Sequence, residues 1–392
     1  MDLVINLIAT MLPILIVQFL LLPIVAREYD EYSYGLALTL ISLITLSVQS
    51  FSVSLSNSRL LLNKTYVESN TAGDFNVLLI IFTILNIVFV SIGTYLYEGY
   101  LDILNLSSVL LISILQLVRR YLLVAFRIDI NYKAILYSNI YLIVGYLLGM
   151  LLFLHTGLWQ VIYLLGELIS LTYILSKTNL IQEPIKITKF FKSTTSHGII
   201  TLVASFLGTL NTQVDRLILF PILGAKAVTV YYVSTLFGKT LSMGIVPMNN
   251  VVLTYLTKME KFKIGYFKLL VITSTGLGIL TYAFIIIISE PILNILYPSF
   301  ATEAMELILI TTLTAIINMI CTVINPVIMR FCNISWQIWL NVINITIMVM
   351  LALSFINSYG IIGFCYATLI ASIIKLILMI FIYYKNSSKI NS

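Results

Sequence analysis

The sequence predicts an all-helical integral membrane protein with about twelve transmembrane helices, and three observations carry that reading. Of its 392 residues 60% are hydrophobic and only 10% charged, against roughly 45–50% apolar and about 25% charged in soluble domains. The apolar residues gather in runs near the roughly 20 residues that a bilayer crossing requires. The basic residues fall between those runs, mostly at alternate connections. A chain with so little charge cannot coat a soluble surface of this length, so lipid must be its solvent. Twelve crossings at about 20 residues each occupy most of the chain and leave no room for a soluble catalytic domain.

In chain order the runs lie at roughly 4–26, 34–56, 76–97, 104–126, 134–154, 158–177, 197–222, 228–252, 266–289, 304–328, 336–357 and 361–384. The first opens MDLVINLIAT without a basic n-region, is longer than a signal core and has no clear small-x-small cleavage site before Arg27, so it reads as an uncleaved span. The second carries a polar stripe, Ser42, Thr45, Gln49, Ser52 and Ser56, at helical spacing. The fourth ends near Arg119 and Arg120, which read as interfacial anchors or as collectors of anionic carrier lipid. The fifth holds Gly145 and Gly149 in a GxxxG, a helix-packing signal. The sixth has Glu167 near its middle, the seventh Asn211, Asp215 and Arg216, the eighth Lys239, and the twelfth Lys375, which is within snorkelling reach of the cytoplasmic end. Pro13, Pro247 and Pro326 lie within spans and would bend them.

Charge placement predicts the orientation. With a cytoplasmic N-terminus, the inner connections hold 17 of the 22 basic residues, the outer ones only Arg27 and Lys226, and the spans Arg216, Lys239 and Lys375. Cytoplasmic loops retain Lys and Arg, so both termini are expected in the cytoplasm. The net charge of +6 is then a topology signal, which removes the nucleic-acid reading a basic chain would otherwise invite. Tyrosines at the outer ends, among them Tyr29, Tyr32, Tyr34, Tyr95, Tyr97, Tyr100, Tyr297 and Tyr359, read first as an aromatic belt. Cys321, Cys332 and Cys365 lack metal or redox spacing and read as small packing residues. No Gly-rich phosphate loop, metal cluster or nucleophile arrangement appears, so the expectation is a protein without cofactor or metal that is not an enzyme and does not hydrolyse ATP directly.

The chain also resembles itself. LLLPIVAR at 20–27 and ILFPILGAK at 218–226 place Pro23 and Pro221 at equivalent depths, each followed by a basic residue and a Tyr-rich entry into the next span. Six spans separate the copies, so two halves of the same orientation are expected: a lobe at 1–178, a cytoplasmic linker at 179–196 and a lobe at 197–392, around a central cavity.

The stretch VDRLILFPILGAKAVTVYYVSTLFGKTLSMGIVPMNNVVLTYLTK, from just before Asp215 to Lys258, carries an Asp-Arg pair, a Leu-Gly-Ala helix end, an aromatic opening and a following Pro. It resembles the polysaccharide repeat-unit flippases, the O-antigen and capsule transporters of the multidrug/oligosaccharidyl-lipid/polysaccharide exporter superfamily. VAREYDEYSYGLALTLISLITL resembles their first repeat. The resemblance implies a bacterial cytoplasmic-membrane protein that moves an undecaprenyl-pyrophosphate-linked oligosaccharide to the outer leaflet by alternating access, for O-antigen or capsule biosynthesis. It also implies a coupling H+ or Na+, membrane lipid around it and association with polysaccharide polymerase machinery. Two alternatives stand: a cation-coupled multidrug exporter of the same superfamily, and a membrane polysaccharide polymerase or ligase. The first is weakened by a first span without an acid, and the second by the lack of a long extramembrane loop.

The intramembrane polar residues are the candidate site, because a charge at mid-bilayer costs about 2.5–3.5 kcal/mol on insertion scales and needs a partner or a wet cavity. Tyr232, Thr235, Lys239 and Ser242 share one helical face. Lys239 on that face is the group expected to attract the pyrophosphate, while Ser42, Thr45, Gln49, Thr235 and Ser242 contact sugar. The competing reading of the hydroxyls is that they bond their own helix. Asp215 and Arg216 are adjacent and point about 100° apart, so each is expected to meet another span or the cavity, as an inter-helix lock or as a substrate contact. Asn211 accompanies them, and Gln18 corresponds to Arg216 through the repeat. Glu167, like Asp215, either carries the coupling ion or, alternatively, neutralises a buried basic group.

Overall fold

The computed structural model describes residues 2–100, 102–257, 259, 264–332 and 335–391, and among them the only regular elements are helices. They are α1 (Asp2–Ile16), α2 (Leu22–Glu28), α3 (Glu31–Glu68), α4 (Asp74–Glu98), α5 (Ile103–Leu122), α6 (Val124–Ile128), α7 (Tyr132–Thr156), α8 (Gln160–Lys177), α9 (Phe191–Thr257), α10 (Ile264–Leu296), α11 (Ala301–Phe331) and α12 (Ser335–Asn391). A π-helical turn, Val17–Leu21, joins α1 to α2. Its cause lies in Pro23, which has no N–H to donate and whose ring crowds the carbonyl of residue 19, so the ladder is rewired one residue wider just before it.

Nine stretches among the described residues are long and apolar enough to cross a membrane. Two of them are double. α9 leaves helical geometry at Gly224 (φ 82, ψ 178) and α12 at Gly360 (φ 56, ψ −136), positive-φ conformations that suit a residue without Cβ. With those two breaks and α8, whose buried Glu167 lowers its hydropathy, the described residues hold about twelve candidate crossings. The chain is a multi-pass membrane protein. After Pro23 and Pro221 alike the backbone soon leaves the helix, at the extended Tyr29 in one case and at Gly224 in the other.

The helices form two compact units, 1–222 and 223–392. In the first, α8 packs along α7 and against α5, α1 along α7, and α3 against α4 and α5. Its interior is filled by Tyr34, Leu38, Leu40, Phe75, Leu117 and Tyr121, all nearly inaccessible. The second unit packs α11 against α10 and α12 around Phe267, Ile320, Ile324, Val327, Met379 and Tyr383, with the Phe267 and Tyr383 rings stacked at 3.8 Å. The three cysteines are free thiols, Cys321 and Cys365 buried and Cys332 partly so.

The aromatic belt needs correction. Tyr32, Tyr95, Tyr100 and Tyr359 are exposed, but Tyr34 and Tyr297 are core residues. Tyr97 donates to the Leu217 carbonyl at 3.0 Å. Tyr29 joins two connections, donating to the Gly157 carbonyl at 2.5 Å and accepting from the Trp159 N–H at 3.2 Å. Burial pushes its phenol pKa up, an effect the Trp159 hydrogen bond partly offsets.

Candidate functional site

The site in the first unit is organised by α3. Its stripe residues recur at three- and four-residue spacing and therefore share a face. The Ser42 hydroxyl, fully buried, donates to the Leu38 carbonyl of its own helix at 2.9 Å and accepts from Arg216 Nη1 of α9 at 3.1 Å. Two turns along, Gln49 Oε1 accepts from Arg120 Nη1 of α5. Thr45 lies between them, partly buried and without a described hydrogen bond. Seven residues separate Ser42 from Gln49, or about 10 Å at 1.5 Å per residue. Two guanidinium groups therefore meet one polar helix face at points about 10 Å apart, within membrane-spanning segments. Each guanidinium carries five fixed donors and no acceptor, so the face presents positive charge and hydrogen-bond donors.

Arg216 reaches another span, as its direction on α9 requires. Asp215, buried beside it, accepts the Arg216 backbone N–H at 2.9 Å. Asn211 is half-buried on the same helix, and Gln18 is buried within the π turn, where a local change of hydrogen-bond register is often found at functional sites.

A second cluster lies behind this face. Arg119 and Glu167, on α5 and α8, form an ion pair in which Arg119 Nε donates to Glu167 Oε2 and Nη2 to Oε1. Glu167 is inaccessible to solvent and Arg119 nearly so. Tyr146 of α7 completes the cluster by donating to Glu167 Oε1 at 3.4 Å. The reading of Arg119 and Arg120 as interfacial anchors needs correction: Arg119 is buried against Glu167 and Arg120 is turned to Gln49, so each guanidinium has an internal partner on a neighbouring helix. Glu167 has the neutralising geometry that was one of its two readings.

A third cluster was not foreseen. The connection after α8 is strapped to the C-terminal end of α3 and the N-terminal end of α4. Arg59 pairs with Glu183 and donates to the Tyr121 hydroxyl at 3.1 Å. Asp74 accepts from the Thr188 N–H at 2.7 Å, from the Thr188 hydroxyl at 2.5 Å and from the Tyr66 hydroxyl at 2.6 Å. The Asn76 amide donates to the Glu183 carbonyl at 2.8 Å.

In the second unit Lys239 is partly buried, with Nζ 5.8 Å from the centroid of the buried Tyr231 ring, close enough for a cation–π contact. Thr235 is buried and bonds the Tyr231 and Tyr232 carbonyls of its own helix at 3.0 and 3.1 Å. The Ser242 side chain lies outside the described residues.

Sequence reasoning missed Arg119, Arg120, Arg59 and Asp74 as partners. A usable signal existed for Arg119, because a carboxylate as deep as Glu167 requires a buried cation or proton. Nothing in the sequence identifies Glu183 as the partner of Arg59, 124 residues away.

The fold is that of a class of membrane transporters, and solved structures of that class match nearly end to end. By sequence, no family model and no curated protein matches the chain. A structure of the lipid II flippase MurJ in an inward closed conformation is similar over 97% of this chain and 85% of its own, at TM-score 0.70 and 15% identity. A multidrug resistance MATE family transporter of the MOP superfamily, in an outward-facing conformation, is similar over 99% and 96%, at TM-score 0.66 and 13% identity. A MATE bound to MaL6 is similar over 100% and 97%, at TM-score 0.68 and 12% identity.

Proposed function

We propose that the chain is a flippase that translocates an undecaprenyl-pyrophosphate-linked oligosaccharide repeat unit across the bacterial cytoplasmic membrane by alternating access, for O-antigen or capsule biosynthesis. The observation that carries this reading is the α3 face, where Arg216 meets Ser42 and Arg120 meets Gln49. A pyrophosphate bearing sugars offers the anionic oxygens and hydroxyls that such a face can bind. In the second unit Lys239 is the cation assigned to the pyrophosphate, and a Lys239→Glu protein that inserts normally should lose transport. Glu167 and Asp215 are the candidate carriers of a coupling H+ or Na+. In the described structure Glu167 is held by Arg119, so ion binding there requires that pair to open.

The test is where lipid-linked repeat units reside after the gene is deleted. They should accumulate on the cytoplasmic leaflet and be cleared when the wild-type chain, but not an Arg216→Ala, Arg120→Ala chain, is restored. Normal delivery of repeat units without the protein overturns the reading.

A second reading, export of organic cations coupled to an ion gradient, is favoured by the two intramembrane carboxylates and by the near-complete overlap with MATE structures. It requires gradient-dependent efflux of ethidium from cells expressing the chain. The lipid-linked reading requires that efflux to be absent.

A further inference from the structure

A polar cavity of about 110 Å³ lies in the second unit, lined by Cys321, Thr322, Asn325, Gln337, Leu340, Asn341, Lys375 and Met379. It belongs to α11 and α12 alone and includes no residue of the α3 face. A cavity of this size has room for several waters or one tetrahedral oxyanion. Lys375 reaches it from the second half of α12, and among the described residues it has no hydrogen-bond or ion-pair partner; the titratable group it interacts with is the Cys321 thiol. Gln337 and Asn341, one turn apart, also make no described hydrogen bond. The Asn325 amide is turned toward the Met329 sulfur at 3.7 Å, a weak acceptor.

These groups set the sign and the depth of a ligand. An ammonium has three donors and no acceptor, and one within a span needs an anionic partner or a wet cavity. Among the described residues no carboxylate lines the cavity. Gln337 and Asn341 lie two and six residues into α12, and Asn325 six residues before the end of α11. At 1.5 Å per residue all three sit within about 10 Å of a helix end. The exposed Trp336 and Trp339 flank the same turn and mark the membrane interface. On the charge-based topology this is the cytoplasmic interface, where phosphate headgroups lie.

We propose that Lys375, Gln337, Asn341 and Asn325 form a phosphate-binding site, distinct from the transport site assigned above. The phosphate is either a lipid headgroup or a free anion, and one experiment distinguishes the sources. The delipidated full chain in detergent is titrated with phosphatidic acid and, separately, with inorganic phosphate, with bound stoichiometry read by native mass spectrometry and affinity by calorimetry. One equivalent of phosphatidic acid alone assigns a headgroup, and one equivalent of inorganic phosphate assigns a free-anion site. In both cases Lys375→Met should weaken binding at least tenfold while Lys375→Arg retains it. Asn341→Asp guards against a folding artefact: it adds a carboxylate to the lining of the cavity that Lys375 enters, so it should raise the melting temperature and abolish phosphate binding. Absence of binding by either probe, or equal binding by wild type, Lys375→Met and Asn341→Asp, overturns the proposal. Neither result bears on translocation, which the deletion experiment reads separately.

Discussion

Arg119 on α5 and Glu167 on α8 form a buried ion pair that joins two helices of the first unit, and Tyr146 on α7 ties a third helix to it. Removing one member of a buried pair leaves an uncompensated charge, at a cost of about 3–5 kcal/mol, whereas replacing both with apolar residues is often neutral or stabilising. Glu167→Gln should therefore destabilise the protein by about that amount in denaturant unfolding in detergent. The double variant Arg119→Met, Glu167→Leu should recover most of the loss. Equal destabilisation by the single and double variants would show that the two side chains are not coupled.

Arg216 and Arg120 test the face itself. A hydrogen bond to a charged group contributes about 1.5–3 kcal/mol, and each 1.4 kcal/mol is a factor of ten. Arg216→Ala or Arg120→Ala should lower transport about ten- to a hundredfold, with melting temperature nearly unchanged. Ser42→Ala removes the acceptor that positions Arg216 but leaves the guanidinium in place, so its loss should be smaller and should disappear in the Arg216→Ala background. Additive losses would mean that Ser42 acts on substrate independently.

The strap after α8 gives a prediction in a different observable. Asp74 accepts three hydrogen bonds, two of them from Thr188, and Arg59 holds Glu183 five residues earlier. Lys186 and Lys189 are exposed on this segment. Asp74→Ala and Arg59→Ala should each release the strap and speed tryptic cleavage at those lysines several-fold, because proteolysis follows the population of the opened segment. Cleavage at the wild-type rate in both variants would mean that the strap is held elsewhere.

The parts of the fold legible in the sequence were those set by solvent and local geometry. The spans follow from apolar length, and the breaks at Gly224 and Gly360 fall in the predicted connections between spans seven and eight and between eleven and twelve. The α3 stripe follows from periodicity. Arg216 was readable as meeting another span, because adjacent helix residues diverge. The identity of its partner, Ser42, depends on which helices neighbour one another, and periodicity carries no such information. Arg120 was misread because a basic residue near a span end looks like an anchor until the neighbouring helix that offers it Gln49 is known. Glu183 and Asp74 were invisible for a related reason: a polar residue in a connection looks solvated until the connection is known to fold back.

Gly145 and Gly149 offer a test that is independent of charge. On α7 they face α8 so closely that a Cβ on Gly145 would lie 2.6 Å from the Gly166 Cα, and one on Gly149 2.6 Å from the Ile162 Cα. Both obstructions are backbone, so relief requires the helices to separate. Overpacking of this kind costs about 1–3 kcal/mol per site, and separating α8 would also strain the Arg119–Glu167 pair. Gly145→Ala should therefore destabilise by about that amount, and Gly145→Leu by more. Because the strain passes through α8, combining Gly145→Ala with Glu167→Gln should cost less than the sum of the single variants. Strict additivity in the denaturant measurement would place the close helix contact and the ion pair in energetically separate parts of the unit.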